Sequence, residues 1–150
     1  MQVCIKHYND LSTDELYRIL RLRVEVFVVE QRCPYQELDG RDTDAYHVFI
    51  LDEKGECMGC LRVFMKDGTT AQIGRVVTSR KSRSMGLGAM LMEQGVYIAK
   101  DILKASSVYL EAQTYAVGFY KKSGFKVCSE EFLEDGIPHV GMILYLCDRF

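Results

Sequence analysis

Arg83, Gly86 and Gly88 are the residues of this 150-residue chain whose types and spacing point most directly to chemistry. They close a stretch that runs Ala71-Gln72-Ile73-Gly74-Arg75-Val76-Val77-Thr78, then Ser79-Arg80-Lys81-Ser82, then Arg83-Ser84-Met85-Gly86-Leu87-Gly88, then Ala89-Met90-Leu91-Met92. By residue type this is a β-branched run, a basic polar loop, two glycines one residue apart and an apolar helical pattern, hence strand, loop, helix. The first amides of a helix have no partner within it, and the helix dipole adds partial positive charge there. Phosphate fits such a place. Glycine lets the backbone approach a bulky anion and adopt positive φ. From Arg75 to Gly88 the charged residues are Arg75, Arg80, Lys81 and Arg83, with no Asp or Glu.

Two familiar phosphate loops are excluded by the letters. A Walker A loop needs Gly-Lys-Ser/Thr after a four-residue gap, and the dinucleotide fingerprint needs a third Gly or Ala where this chain has Leu91. What remains is Arg-x-x-Gly-x-Gly after a strand, a pattern that an ordinary glycine-rich helix start also fits. Cys57-Met-Gly-Cys60 matches CxxC, but a second pair at zinc spacing is missing and the motif lies in a strand-like run, so no metal is expected.

The elements that must position these residues follow from periodicity. Gln2 to Tyr8 reads as a first strand. Ser12-Thr13-Asp14-Glu15 supplies an N-cap with Glu three residues on, and Leu16, Ile19, Leu20, Val24 and Phe27 follow at helical spacing. Arg18, Arg21, Arg23 and Glu25 fall on its polar, solvated side, with Arg21 and Glu25 four apart. From Val26 to Gln31 β-branched residues take over. Cys33 to Asp42 is then an acid-rich loop, long for a connector, whose Glu37, Asp39 and Asp42 would suit a cationic amine or stand simply as solvated acids. Tyr46–Asp52, Cys57–Met65 and Ala71–Thr78 form an antiparallel meander with short Gly-containing links. A long helix over Gly86–Leu103 presents Leu87, Met90, Leu91, Gln94, Ile98 and Ile102 near one face, and Ser107–Ala112 is a further strand. Strand, helix and strand in that order need a right-handed crossover, so the Ala71 and Ser107 strands should be parallel neighbours, with splaying allowed. Ala116–Lys122 reads as a short helix, Phe125–Glu130 as a strand, Leu133–Pro138 as a connector and His139–Cys147 as the last strand.

Length and composition set bounds. At 150 residues one domain, 1-150, is expected, burying about 68 to 70% of its unfolded surface. A net charge of −2 and a pI near 5.9 carry no general nucleic-acid signature. The N-terminus has no basic segment followed by a long apolar core, and no run of eighteen apolar residues occurs, so no membrane partner and a cytoplasmic location are expected. The six cysteines then read as free thiols.

The element order strand, helix, three strands, helix, strand, helix, two strands, with Arg-x-x-Gly-x-Gly at the second helix, resembles the GNAT superfamily of N-acetyltransferases across essentially the whole chain. Ala116-Val-Gly-Phe119-Tyr120-Lys-Lys-Ser-Gly124-Phe125 is similar to that family's A-x-x-F-Y-x-x-x-G-F. Arg21 to Gln31, Cys33 to Asp39, Ile73 to Val77 and Glu134 to His139 look like its ElaA-like subgroup. Thr78 and Arg80 stand where many relatives have Val and Pro, and Ser84 replaces a Gly. The resemblance implies an α/β (α+β) fold with a central mixed, mostly antiparallel sheet of about seven strands, a parallel splayed pair and about four helices. It also implies a reaction: transfer of acetyl from acetyl-CoA to a primary amine of a small molecule or protein, by direct attack and without metal. A non-catalytic acyl-CoA-binding or partner-binding module, and an acyltransferase using longer chains, are the alternatives on the same fold. A homodimer pairing through the last strand is an expectation of the same kind.

On that model the backbone of Val76, Val77 and Thr78 pairs with the pantetheine arm like an added strand, and the N–H of Val77 stabilises the oxyanion. The amides of Arg83, Ser84, Met85, Gly86, Leu87, Gly88 and Ala89 hold the pyrophosphate. Tyr120 protonates the departing thiolate, a thiol of pKa ~8.5 and a phenol of pKa ~10 being matched for that exchange. For the base, Glu111 near the carboxyl end of its strand is the expectation, relaying the amine's proton directly or through water, with His47 and His139 as alternatives.

Overall fold

In the computed structural model residues 1–146 are described, and Cys147 lies outside them. The elements are β1 (Gln2–His7), α1 (Thr13–Arg23), β2 (Tyr46–Leu51), β3 (Cys57–Met65), β4 (Thr70–Thr78), α2 (Leu87–Tyr97), β5 (Ser107–Gln113), α3 (Val117–Lys121), β6 (Lys126–Val127), β7 (Phe132–Glu134) and β8 (Ile137–Tyr145). The strands make one sheet in the order β1-β2-β3-β4-β5-β8-β6, with β7 also paired to β8. The β4–β5 pair is parallel and the others are antiparallel. The parallel ladder joins only Thr70–Gln72 to Ser107–Tyr109, after which the two strands part, which is the expected splay.

Two apolar clusters sandwich the sheet. On one face α2 sets Leu87, Leu91, Met92 and Ile98 against Val48, Leu61, Val63 and Ile73. On the other, α1 sets Ile19, Leu22 and Val26 against Phe49, Cys60 and Val77. Helix α1 starts on the expected reciprocal cap, Ser12 Oγ accepting from the Glu15 amide at 3.0 Å and Glu15 Oε1 accepting from the Ser12 amide at 2.9 Å.

Several expectations are corrected. Among the described residues the sheet has eight strands where about seven were expected, and there are three α-helices where about four were expected. The β-branched run from Val26 does not leave the helix. It continues α1 in wider, π-type turns from Val24 to Glu30, because burial of Val26 against the sheet outweighs its local preference. Helix α2 continues in the same way from Ile98 to Ile102. The connector after Leu133 is instead a hairpin, β7 to β8, turning on Asp135 and Gly136 at φ 51° and 78°. The strand expected over Phe125–Glu130 shortens to two residues.

The largest correction is Arg23. It is not on a solvated face but 1% exposed, its guanidinium donating to Glu37 Oε2 at 2.6 Å and to Asp42 at 2.7 and 3.1 Å. Arg21 pairs with Glu56, not Glu25. Cys57 and Cys60, like Cys4, Cys33 and Cys128, are free thiols, Cys60 lying within the α1-side core. Among the described residues no helix is long and apolar enough to cross a membrane.

Candidate active site

Where β4 and β5 part, a cleft of about 180 Å³ opens, lined from one side by Phe27, Tyr35 and Phe64 and from the other by Val76, Leu110 and Tyr120. Its β4 wall is shaped by a bulge. Cys60 pairs with Val77 and Arg62 with Gly74, so Arg75 and Val76 together face Leu61, and Arg75 takes φ 53°. Beyond the bulge, the Ser79 amide donates to Met58 C=O at 2.8 Å. By ladder alternation Val77 also faces β3, whereas Val76 and Thr78 turn their N–H and C=O groups toward the open side. The Val76 N–H thus stands beside that of Val77 as a candidate oxyanion donor. Val77 serves as a core residue, 6% exposed.

The Arg80–Ser82 turn is anchored by buried Ser79 and Ser82, whose hydroxyls lie 2.5 Å apart. Ser84 at φ 71° and Gly86 at φ 75° curl the chain into α2, and no side chain caps the helix. The amides of Leu87, Gly88 and Ala89 thus have no helical acceptor. Arg83, Ser84, Met85, Gly86 and Ala89 are exposed, while the Leu87 side chain anchors the helix in the core. The space around Gly86 is open, and a Cβ there would meet nothing within 4 Å. A diphosphate-sized anion fits this uncapped, cationic start. Arg83 is already paired: it donates to both carboxylate oxygens of Glu30 at 2.7 and 3.1 Å, which holds the Glu30 carboxyl below its usual range. Arg75 is not part of this loop's charge, since it donates to Glu37 at 2.9 Å and Asp39 at 3.4 Å across the cleft.

Tyr120 lies on α3 and lines the cleft at 9% exposure, with Phe119 at 5.0 Å between ring centroids. Burial first, and Tyr115 second, push its phenol well above the ordinary range, so it keeps its proton at any physiological pH. The two sequence motifs meet here. A Cβ on Gly88 would stand 2.9 Å from Phe119 Cζ, so a larger residue there must shift the Phe119 ring.

Glu111 lines the cleft and accepts from Tyr109 Oη at 3.0 Å. Glu134, on the β7 hairpin, stands beside it. Burial and then hydrogen bonding with Glu111 push the Glu134 carboxyl up. His139 also lines the cleft, but His47 does not: it is 1% exposed and its Nε2 lies 3.0 Å from Asp42 C=O. Burial holds the His47 imidazole below its usual range, as suits a structural residue.

The acids of the Cys33–Asp42 loop do not await an amine. Glu37, Asp39 and Asp42 are bound to Arg23, Arg62 and Arg75, three cations to three anions, and Tyr35 donates to Glu37. Hydrogen bonding to Arg62 holds Asp39 well below its usual range. Burial opposes the same trend at Asp42, but Arg23 and Arg62 prevail. The loop is thereby a fixed wall. Gln31 and Gln113 exchange amide hydrogen bonds at 3.3 Å across the cleft mouth. The letters gave no role to Arg23, Arg62, Glu30, Gln31 or Gln113. Only Glu134 carried a signal, within an Asp-Gly turn.

Comparison with known proteins agrees with this fold. Residues 8–146 match the family described as an acetyltransferase (GNAT) domain. A UPF0039 protein of Schizosaccharomyces pombe is 40% identical over 147 residues, 97% of this chain and 98% of its own length. Protein ElaA of Escherichia coli is 39% identical over 139 residues, 91% of each chain. Its crystal structure superposes with a TM-score of 0.88, covering 95% of this chain and 97% of that one. An acyl-CoA N-acyltransferase from Pseudomonas aeruginosa, 42% identical, also gives 0.88, covering 95% and 99%. With a family model spanning nearly all of it and full-length relatives near this level of identity, the chain belongs to the GNAT acetyltransferase family and is ElaA-like within it.

Proposed function

We propose that the protein is an acetyl-CoA-dependent N-acetyltransferase that passes an acetyl group to a primary amine of a small molecule or protein by direct attack. The observation that carries this reading is a convergence. Val76 on the unpaired side of β4 and the protonated phenol of Tyr120 line one cleft, and the uncapped start of α2 packs through Gly88 on Phe119, the neighbour of Tyr120. The co-substrate's diphosphate is held by the amides from Arg83 to Ala89, with its acyl arm along Val76, Val77 and Thr78. The amine nitrogen attacks the thioester carbonyl carbon, forming the C–N bond, and the oxyanion is held by the Val76 N–H. Glu111 takes the amine's proton. The C–S bond breaks, and Tyr120 supplies the proton that the thiolate needs.

The experiment is a thermal melt with acetyl-CoA followed by thiol release over an amine panel of polyamines, amino acids, aminoglycosides and peptide N-termini. Acetyl-CoA raises Tm by mass action. Tyr120→Phe leaves that shift intact and slows thiol release about 100- to 10,000-fold. An unchanged Tm at millimolar acetyl-CoA refutes the reading. A full Tm shift with no thiol release from any amine would favour a non-catalytic acyl-CoA-binding module instead.

A further inference from the structure

The end of α1 borders both the cleft and the glycine-rich loop. Its wide turns run from Val24 to Glu30, with Gln31 next. Phe27 and Gln31 line the cleft, whereas Glu25, Val29 and Glu30 line a second hollow of about 530 Å³ together with Ser79, Arg80 and Lys81. The segment is thus a partition between the two openings, and wide turns of this kind are frequent at functional sites.

Glu30 reaches from this partition to the loop. Its carboxylate accepts from Arg83 Nη1 at 2.7 Å and from Nη2 at 3.1 Å, and Arg80 Nε stands 4.0 Å from it. The same Nη2 also donates to the Thr78 C=O at 3.3 Å. Thr78 ends β4, on the side of that strand left without a partner once the ladder to β5 stops at Gln72. One guanidinium therefore occupies two things that acetyl-CoA would use: cationic charge on the loop and a free acceptor at the strand edge. Glu30 holds it there, and brings a negative charge to a loop whose own charges, Arg80, Lys81 and Arg83, are all positive. The Glu30 side chain is 25% exposed and that of Arg83 40%, so solvent reaches the pair and its opening takes little energy.

We propose that Glu30 is an internal competitor of the coenzyme: its carboxylate and the diphosphate bind Arg83 in alternation, so that coenzyme binding opens the Glu30–Arg83 latch and frees the edge of β4. The inference rests on the acetyl-CoA-binding part of the transferase reading. One anion replaces another on the same guanidinium, and no covalent bond changes. The Thr78 C=O is released to accept from an amide of the acyl arm. Coenzyme affinity is lowered by the work of opening the latch. Two simpler roles for Glu30 predict something else. If it held Arg83 in place for the diphosphate, its removal would weaken binding. If it only repelled the coenzyme through space, its removal would help equally with or without Arg83.

The test is calorimetric titration of the full chain with acetyl-CoA, for the wild type, Glu30→Gln, Arg83→Gln and the double variant, with melts to verify folding. Glu30→Gln is expected to lower Kd about 3- to 5-fold, the size of one partly exposed ion pair. In the Arg83→Gln background the same change is expected to alter Kd less than about 2-fold, because the latch needs both partners. Equal or weaker binding by Glu30→Gln overturns the latch alone, and so does an equal gain with and without Arg83. Tighter binding by Glu30→Gln with no thiol release from any amine overturns the catalytic reading and leaves the latch in place. No binding of acetyl-CoA by any of the four proteins overturns both.

Discussion

At Gly88 a Cβ would come within 2.9 Å of the Phe119 ring, so a side chain there fits only if that ring shifts. The two sequence motifs are therefore one packed unit: the uncapped start of α2 and the helix that carries Tyr120 meet at Gly88 and Phe119. Gly88→Ala must push Phe119 aside and disturb Tyr120 next to it. The expected result is a loss of about 1–3 kcal/mol of stability and a smaller acetyl-CoA melting shift, both read from melts with and without ligand. A Tm unchanged in both conditions would contradict the contact. At this scale the positive φ of Gly86 and the placing of Tyr120 and Glu111 on one cleft were legible, because turn and motif chemistry reside in adjacent letters. Arg23 was not. An arginine on an amphipathic helix looks alike in sequence whether it meets water or, as here, two carboxylates 14 and 19 residues away.

Among the elements, α1 and the loop after it behave as one structure. The helix ends in wide turns, and the following loop folds back so that Glu37 and Asp42 close on Arg23. Arg23→Ala leaves two buried carboxylates short of a partner, and the expected loss is about 3–5 kcal/mol in chemical denaturation, far more than for an exposed ion pair such as Arg18–Asp14. A loss under 1 kcal/mol would mean that Arg62 and Arg75 suffice to neutralise the loop. Strand and helix bounds within the meander and crossover were legible to within a residue or two, since period and turn letters agree there. The β7–β8 hairpin was missed although Asp135-Gly136 is the strongest two-residue turn signal in that stretch. The flanking segment is too short and too acidic to show alternation.

Across the whole molecule, acid stability follows from the same ion pairs. Asp39 and Asp42 are held below the ordinary aspartate value of 3.8 in the folded state. A group with a depressed folded pKa contributes stability that is complete above its unfolded value and lost as pH falls through the folded one. Melting temperature is therefore expected to drop as pH falls below about 4, and Asp42→Asn, already less stable at neutral pH, should show a shallower drop. Equal slopes in the two proteins would assign acid unfolding elsewhere. Glu134, raised from 4.5, has the opposite sign: its contribution improves as pH falls toward that value. The meander and the parallel β4–β5 neighbours were recoverable from link lengths and handedness, whereas the place of β8 between β5 and β6 and the three-residue extent of the β4–β5 ladder were not, because nothing local encodes which distant strands pair or where two strands separate.

That short ladder divides the sheet into two leaves, β1 to β4 and β5 to β8, sewn along a seam three residue pairs long. Glycine-rich loop and bulged strand ride on the first leaf; the phenol, both glutamates and the imidazole ride on the second. The two leaves share few backbone bonds but one core, since Leu61 and Ile73 of the first pack in the same cluster as Val108, Leu110 and Met142 of the second. On the proposed function, the spacing of β4 from Tyr120 and Glu111 is therefore set by side-chain packing rather than by the ladder.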